Sequence, residues 1–213
     1  MSDDTGVRRI TCQADVDADA AVLAALHPQF AKALAATGPL PLRLRSDGFE
    51  ELASAIVSQQ VSVASANAIW ARVKTAGLHH APAILGASDE ALRGCGLSRP
   101  KVKYIKALAE AQIDFDALRS ASTEDVIAVL TQVKGIGRWT AEIYAKFSLG
   151  HADVFAANDL ALQEAAKLLF QLPERPNEKQ MRALAAQWAP YRSVAARLLW
   201  AYYHVEKTRE GIR

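Results

Sequence analysis

Apolar residues recur along this chain at helical spacing, and the polar residues between them are of the kinds that start and stop helices. Ser88, followed by Asp89 and Glu90, sets a hydroxyl cap and two acids at a helix start, and Gly94 or Gly96 closes that short helix. Ser122-Thr123-Glu124-Asp125 opens another, leading to Val126, Ile127, Val129 and Leu130. Asn177 with Gln180 forms a capping box ahead of Met181, Leu184 and Trp188. Pro190 begins a long last helix over 190–207, with Val194, Leu198 and Ala201 on one side. Alanine-rich stretches at 18–36 and 51–73 complete the helices, and only 7–11 would pass for a strand. The pattern predicts an all-α fold broken at 37–48, 96–101 and 149–159, with no internal repeat.

Composition narrows the class without choosing a function. The chain has 213 residues, 51% hydrophobic and 23% charged, which reads as a soluble globular protein rather than a disordered one. No apolar run reaches membrane-spanning length and the first ten residues, MSDDTGVRRI, carry acids where a secretion signal needs basic and then apolar residues. An intracellular protein with no membrane partner is expected: cytoplasmic at the nucleoid if bacterial, nuclear if eukaryotic. Cys12 and Cys95 are too few for a disulfide scaffold or a four-thiolate metal site, so they read as small buried or partly buried side chains and exclude an iron-sulfur cluster. The histidines (27, 79, 80, 151 and 204) form no i, i+4 pair with a nearby acid that would hold a metal. A net charge of +2 leaves nucleic acid open as a partner.

The most informative stretch is 131–147, TQVKGIGRWTAEIYAKF. A helix ends near Val133, Gly135 and Gly137 allow backbone angles closed to other residues, and a new helix begins at about Arg138. Free amides of such a turn at a helix N-terminus make a seat for a phosphate oxygen, with Lys134 and Arg138 adding positive charge. A contact of that kind grips a nucleic-acid backbone without reading bases. Taken alone, a Gly-x-Gly between helices is also simply a tight turn.

Four stretches together carry a resemblance. They are DGFEELASAIVSQQVSVASANAIWARV (47–73), GLSRPKVKYIKALA (96–109), LTQVKGIGRWTAEIYAKFSLGHADVFAANDLALQ (130–163) and WAPYRSVAARLLWAYY (188–203). In order and content the chain resembles the helix-hairpin-helix superfamily of DNA base-excision glycosylases, and within it the compact form of the DNA-3-methyladenine glycosylase II branch. The resemblance implies a two-lobed fold, 46–150 carrying the hairpin and 1–45 with 151–213 forming the second lobe, with the active site in the cleft between lobes. It implies a monomer acting on double-stranded DNA that contains alkylated bases.

The same resemblance implies roles for named residues. Asp159 would be the essential carboxylate, stabilising positive charge on the sugar or orienting a water, although an aspartate there is equally a helix cap. Trp139 stands where strand-cutting relatives hold a lysine that forms a Schiff base, so the expected activity is monofunctional base release. Trp139 and Tyr191 would line the base pocket, with Ile143 and Leu160 where broad-range members carry tyrosines. Gln60 would fill the gap left by the extruded base, and Gln59 and Ser62 would contact DNA or hold their turn. Lys134, Gly135, Gly137 and Arg138 would contact the backbone. No cofactor is required by this reading; the backbone carbonyls of Thr131, Val133 and Ile136 would hold a structural Na+ or K+. Lys101, Lys103 and Lys106 read as a solvated basic face. The competing readings are a catalytically silent damage sensor with the same motif and a glycosylase for deaminated or oxidised bases.

Overall fold

The computed structural model describes residues 6–209, and among them every element longer than a single bridge is an α-helix. In chain order these are α1 (Gln13–Leu26), α2 (Pro28–Thr37), α3 (Phe49–Ser58), α4 (Val63–Thr75), α5 (Ala81–Gly86), α6 (Asp89–Gly94) and α7 (Arg99–Glu110). They are followed by α8 (Phe115–Ser120), α9 (Thr123–Thr131), α10 (Arg138–Phe147), α11 (Leu160–Phe170), α12 (Glu178–Ala186) and α13 (Arg192–Arg209). The chain divides into two compact units, Met1–Leu44 with Ala145–Arg213, and Arg45–Tyr144. The division falls inside α10 rather than at the sequence break that follows it.

Local chemistry places most helix ends. Ser62, Ser88 and Ser122 each accept a hydrogen bond from an amide three residues on, and Asn177 and Gln180 form the reciprocal capping box. The alanine-rich stretches each split into two helices. Pro28 starts α2 because it lacks the amide that would continue α1, and the 59–62 turn, with Gln60 at φ +56°, ends α3. The helix expected from Pro190 begins only at Arg192, after a turn in which Tyr191 donates its amide to the Trp188 carbonyl at 2.8 Å. Arg99 starts α7 within the expected break, with Pro100 in the first turn where its missing amide costs nothing.

The expected strand at 7–11 is instead a single antiparallel bridge between Arg9 and His151. Ile10 donates to Gly150 and Ala152 to Arg8, but the chain turns into α1 immediately afterwards, so no longer ladder forms. Cys12 is exposed at the α1 N-terminus, contrary to the expectation of burial, whereas Cys95 is buried.

Within the unit formed by the two chain ends, α13 packs on α2 and α11 around an aromatic cluster. Trp188 lies 5.1 Å from Phe30 and 5.4 Å from Phe155 and stacks on Phe170 at 5.6 Å. Removing such an indole costs about 3–5 kcal/mol. In the central unit, α3, α4 and α7 bury Leu52, Ile56, Val73 and Ile105. The hydroxyl of Tyr144 accepts the Gly48 amide at 2.8 Å, satisfying one open donor at the start of α3. Burial pushes that phenol up to about 12.

Candidate active site and DNA-backbone contact

The hairpin is the turn between α9 and α10, and its two glycines differ. Gly135 has φ +97°, and a Cβ there would come within 2.6 Å of Tyr104 Cβ, so both backbone angle and space require glycine. Gly137 is not in the left-handed region and a Cβ on it would meet nothing within 4 Å. The expectation that both glycines serve the backbone angle is thus corrected: only Gly135 does, and at Gly137 the open space is the distinguishing property. The carbonyl of Gly137 accepts the Ala141 amide at 3.1 Å, the first bond of α10.

One cavity of about 510 Å³ brings together Gln59, Gln60 and the hairpin residues Gly135, Ile136 and Gly137. Gln59 donates Nε2 to the Gly135 carbonyl at 3.0 Å and so ties the turn after α3 to the hairpin. Gln60 and Ser62 are exposed, Ser62 capping α4. Lys134 is exposed, while Arg138 donates Nε to the buried Glu142 at 3.0 Å and stands 3.7 Å from Glu124. Part of the Arg138 charge is therefore spent within the protein. The rest of the lining comes from the start of α7, through Ser98, Lys101 and Tyr104. Lys101 corrects the reading of a solvated basic run: it is only 8% exposed and donates Nζ to the Val57 carbonyl at 2.6 Å. Lys103 is exposed, and Lys106 pairs with Asp89.

The carbonyls for which the resemblance implies a cation lie at the end of α9 and in the turn that follows it. Thr131 ends α9, where helix carbonyls lack intrahelical partners, and the Val133 carbonyl accepts the Ile136 amide at 3.0 Å. With Ile136 these are uncharged backbone oxygens.

On α10, Trp139 is 41% exposed and Ile143, four residues later on the same face, is half-buried. The indole is thus not a core residue. In the other unit, Asp159 caps α11: its Oδ1 accepts the Leu162 amide at 3.0 Å and the Trp200 indole N–H at 3.2 Å. The cap and the fixed carboxylate are the same feature. The loop leading to it is pinned at several points. Gln163 donates to the Ala157 carbonyl at 2.9 Å, Ser193 donates to that of His151, and Arg192 holds the Asp153 carboxylate with two bonds at 2.6 and 2.8 Å. Leu160, beside Asp159, is 62% exposed. Tyr191 is half-buried, with the Arg8 guanidinium 5.2 Å from its ring centre.

Trp200 was not singled out from sequence, nor was Lys146, whose fully buried ammonium lies 4.5 Å from the centre of the Trp200 ring. The sequence signal for Trp200 was its place in the last of the four matching stretches.

Two helices, α9 and α10, joined by this glycine turn form a helix-hairpin-helix. The family profile described as HhH-GPD superfamily base excision DNA repair protein matches residues 53–191, and the chain belongs to that family. It is 36% identical over 165 residues to DNA-3-methyladenine glycosylase 1 of Schizosaccharomyces pombe, covering 73% of this chain and 72% of that protein. Among solved structures, DNA-3-methyladenine glycosidase from Bacillus halodurans superposes with a TM-score of 0.78 at 35% identity, covering 87% of this chain and 88% of that one. The S. pombe 3-methyladenine DNA glycosylase in complex with abasic DNA superposes with a TM-score of 0.75 at 32% identity, covering 90% and 96% of the two chains.

Proposed function

We propose that this protein is a monofunctional DNA glycosylase that turns alkylated purines, of the 3-methyladenine and 7-methylguanine type, out of duplex DNA and hydrolyses their glycosidic bond. The observation that carries this reading is the Asp159 carboxylate, fixed by the Leu162 amide and the Trp200 indole in a chain of the base-excision family. Alkylation at a purine ring nitrogen makes the base cationic. When the C1′–N bond breaks, its electron pair goes to the base, which leaves neutral, and positive charge passes to the sugar. Asp159 stabilises that charge; water then adds at C1′ and loses its proton to the carboxylate or solvent. Because the leaving group is already charged, a general acid is dispensable.

Trp139 supplies an accessible aromatic face for an electron-poor base and no amine for Schiff-base chemistry. The hairpin, through the Gly135 and Gly137 backbone and Lys134, grips phosphate, and Thr131, Val133 and Ile136 would hold a Na+ or K+ there that screens phosphate charge. The protein acts as a monomer. To test the reading, methylated duplex is incubated with protein and divided, one half receiving hot alkali before a denaturing gel; borohydride is added to a parallel reaction. Strand breaks are expected only after alkali, with no trapped complex. Trapping, or nicking without alkali, would show an acting amine and refute the monofunctional assignment.

A further inference from the structure

Lys101 is a buried cation whose only bonding partner among the described residues is neutral. Its ammonium offers three hydrogens, one of which goes to the Val57 carbonyl, and it forms no ion pair among the described residues. Burial pushes its proton affinity below the usual lysine range. A buried charge without a counter-charge is costly, and a neutral carbonyl offsets only part of that cost. The same side chain lines the cavity beside the hairpin, and no Asp or Glu lines that cavity. Ser98, on the same wall, begins α7 without a side-chain cap bond, which leaves its hydroxyl as a further donor, and the first turn of α7 holds no acid. The backbone at Gly137 faces open space. At about 510 Å³ the cavity is far larger than the roughly 30 Å³ share of one water.

We propose that this cavity is a phosphate seat: a DNA phosphodiester enters between the hairpin and α7 and takes the Lys101 ammonium as its counter-charge, with Ser98 as a second donor. The assignment rests on the DNA-binding reading above and adds a buried lysine from a different helix to the exposed hairpin groups. It makes the buried cation part of the DNA contact, and it gives the Gln59 bond a further role, since that bond ties the turn after α3 to the hairpin beside the seat.

The test uses the full chain with Lys101→Gln, which retains a donor for the Val57 carbonyl, and Lys101→Arg, which retains the cation. Affinity for undamaged duplex is measured against salt. Loss of one phosphate contact should reduce the slope of log K against log[salt] by about 0.9 and weaken binding about eightfold at 0.1 M salt, with Lys101→Arg keeping the wild-type slope. Duplexes carrying a single neutral methylphosphonate, moved along each strand, should reveal one position that weakens wild-type binding and leaves Lys101→Gln unaffected. In wild-type protein the Lys101 Cε resonance should move on adding duplex and stay in place on adding KCl alone. A wild-type salt slope and methylphosphonate profile in Lys101→Gln, or an unmoved resonance should the variant not fold, would overturn the seat and leave Lys101 as the cap of α3. Failure of wild-type protein to bind duplex at all would overturn the DNA reading itself.

Discussion

The two hairpin glycines should fail in different ways when replaced by alanine. At Gly135 an alanine must hold φ near +97°, which costs about 1–2 kcal/mol, and its methyl must displace the Tyr104 ring, adding about 1–3 kcal/mol. A total of about 3 kcal/mol lowers the melting temperature by about 6–12 °C for a chain of this size. At Gly137 the methyl meets nothing and the backbone angle is ordinary, so Gly137→Ala should leave stability unchanged or raise it by about 0.4–1 kcal/mol through the unfolded chain. The added carbon, and more so the bulk of Gly137→Val, would occupy the space through which a phosphate approaches. Affinity for damaged and undamaged duplex should therefore fall together. Thermal melts followed by circular dichroism and duplex binding by fluorescence anisotropy separate the two effects. Equal destabilisation of both alanine variants would refute the packing argument, and wild-type affinity in Gly137→Val would refute the role of the hairpin as the backbone grip.

Other substitutions address the carboxylate, the indole position and a buried imidazole. Asp159→Asn keeps an oxygen for the Leu162 and Trp200 donors and should melt close to wild type, whereas Asp159→Ala loses both bonds and about 1–2 kcal/mol; single-turnover excision should fall on the order of 10³-fold in both. Trp139→Lys should not create an efficient lyase, because a Schiff-base amine needs a lowered pKa and a position against the sugar; borohydride trapping checks this. His151 is buried and its imidazole is held down to about 4 by desolvation and Arg9. Below its unfolded value of 6.5 the unfolded chain takes up a proton that the fold refuses, so stability should fall as pH drops from 6.5 towards 4, by on the order of 3 kcal/mol. Urea midpoints at pH 7 and pH 4.5 should show a smaller drop in His151→Gln.

The helices were legible because their ends are written in local chemistry: Ser62, Ser88, Ser122 and Asn177 bond to amides within three residues. Asp159 was legible as a cap from its neighbours, and that cap is compatible with the catalytic role the resemblance implies. What was not legible depends on partners distant in sequence. Lys101 looks like part of a solvated run until the carbonyl of Val57, 44 residues away, is seen to accept its hydrogen bond. Trp200 reaches Asp159 across 41 residues of chain, and no periodicity within α13 singles it out. The difference between Gly135 and Gly137 is set by Tyr104, on another helix. The alanine-rich stretches misled for the opposite reason: apolar spacing continued past Pro28 and the 59–62 turn while the backbone did not.

The central claim is that this chain breaks the glycosidic bond of alkylated purines, and the most direct measurement is chromatographic detection of free base. Wild-type protein in excess is incubated with duplex containing 3-methyladenine or 7-methylguanine, beside a protein-free control that reports spontaneous loss. The account predicts release of the free alkylpurine well above that control, with Asp159→Asn near the control rate although it still binds the duplex. Tight binding of the damaged duplex by wild-type protein with no base released above the control would contradict it, and would make the protein a damage-binding member of its family.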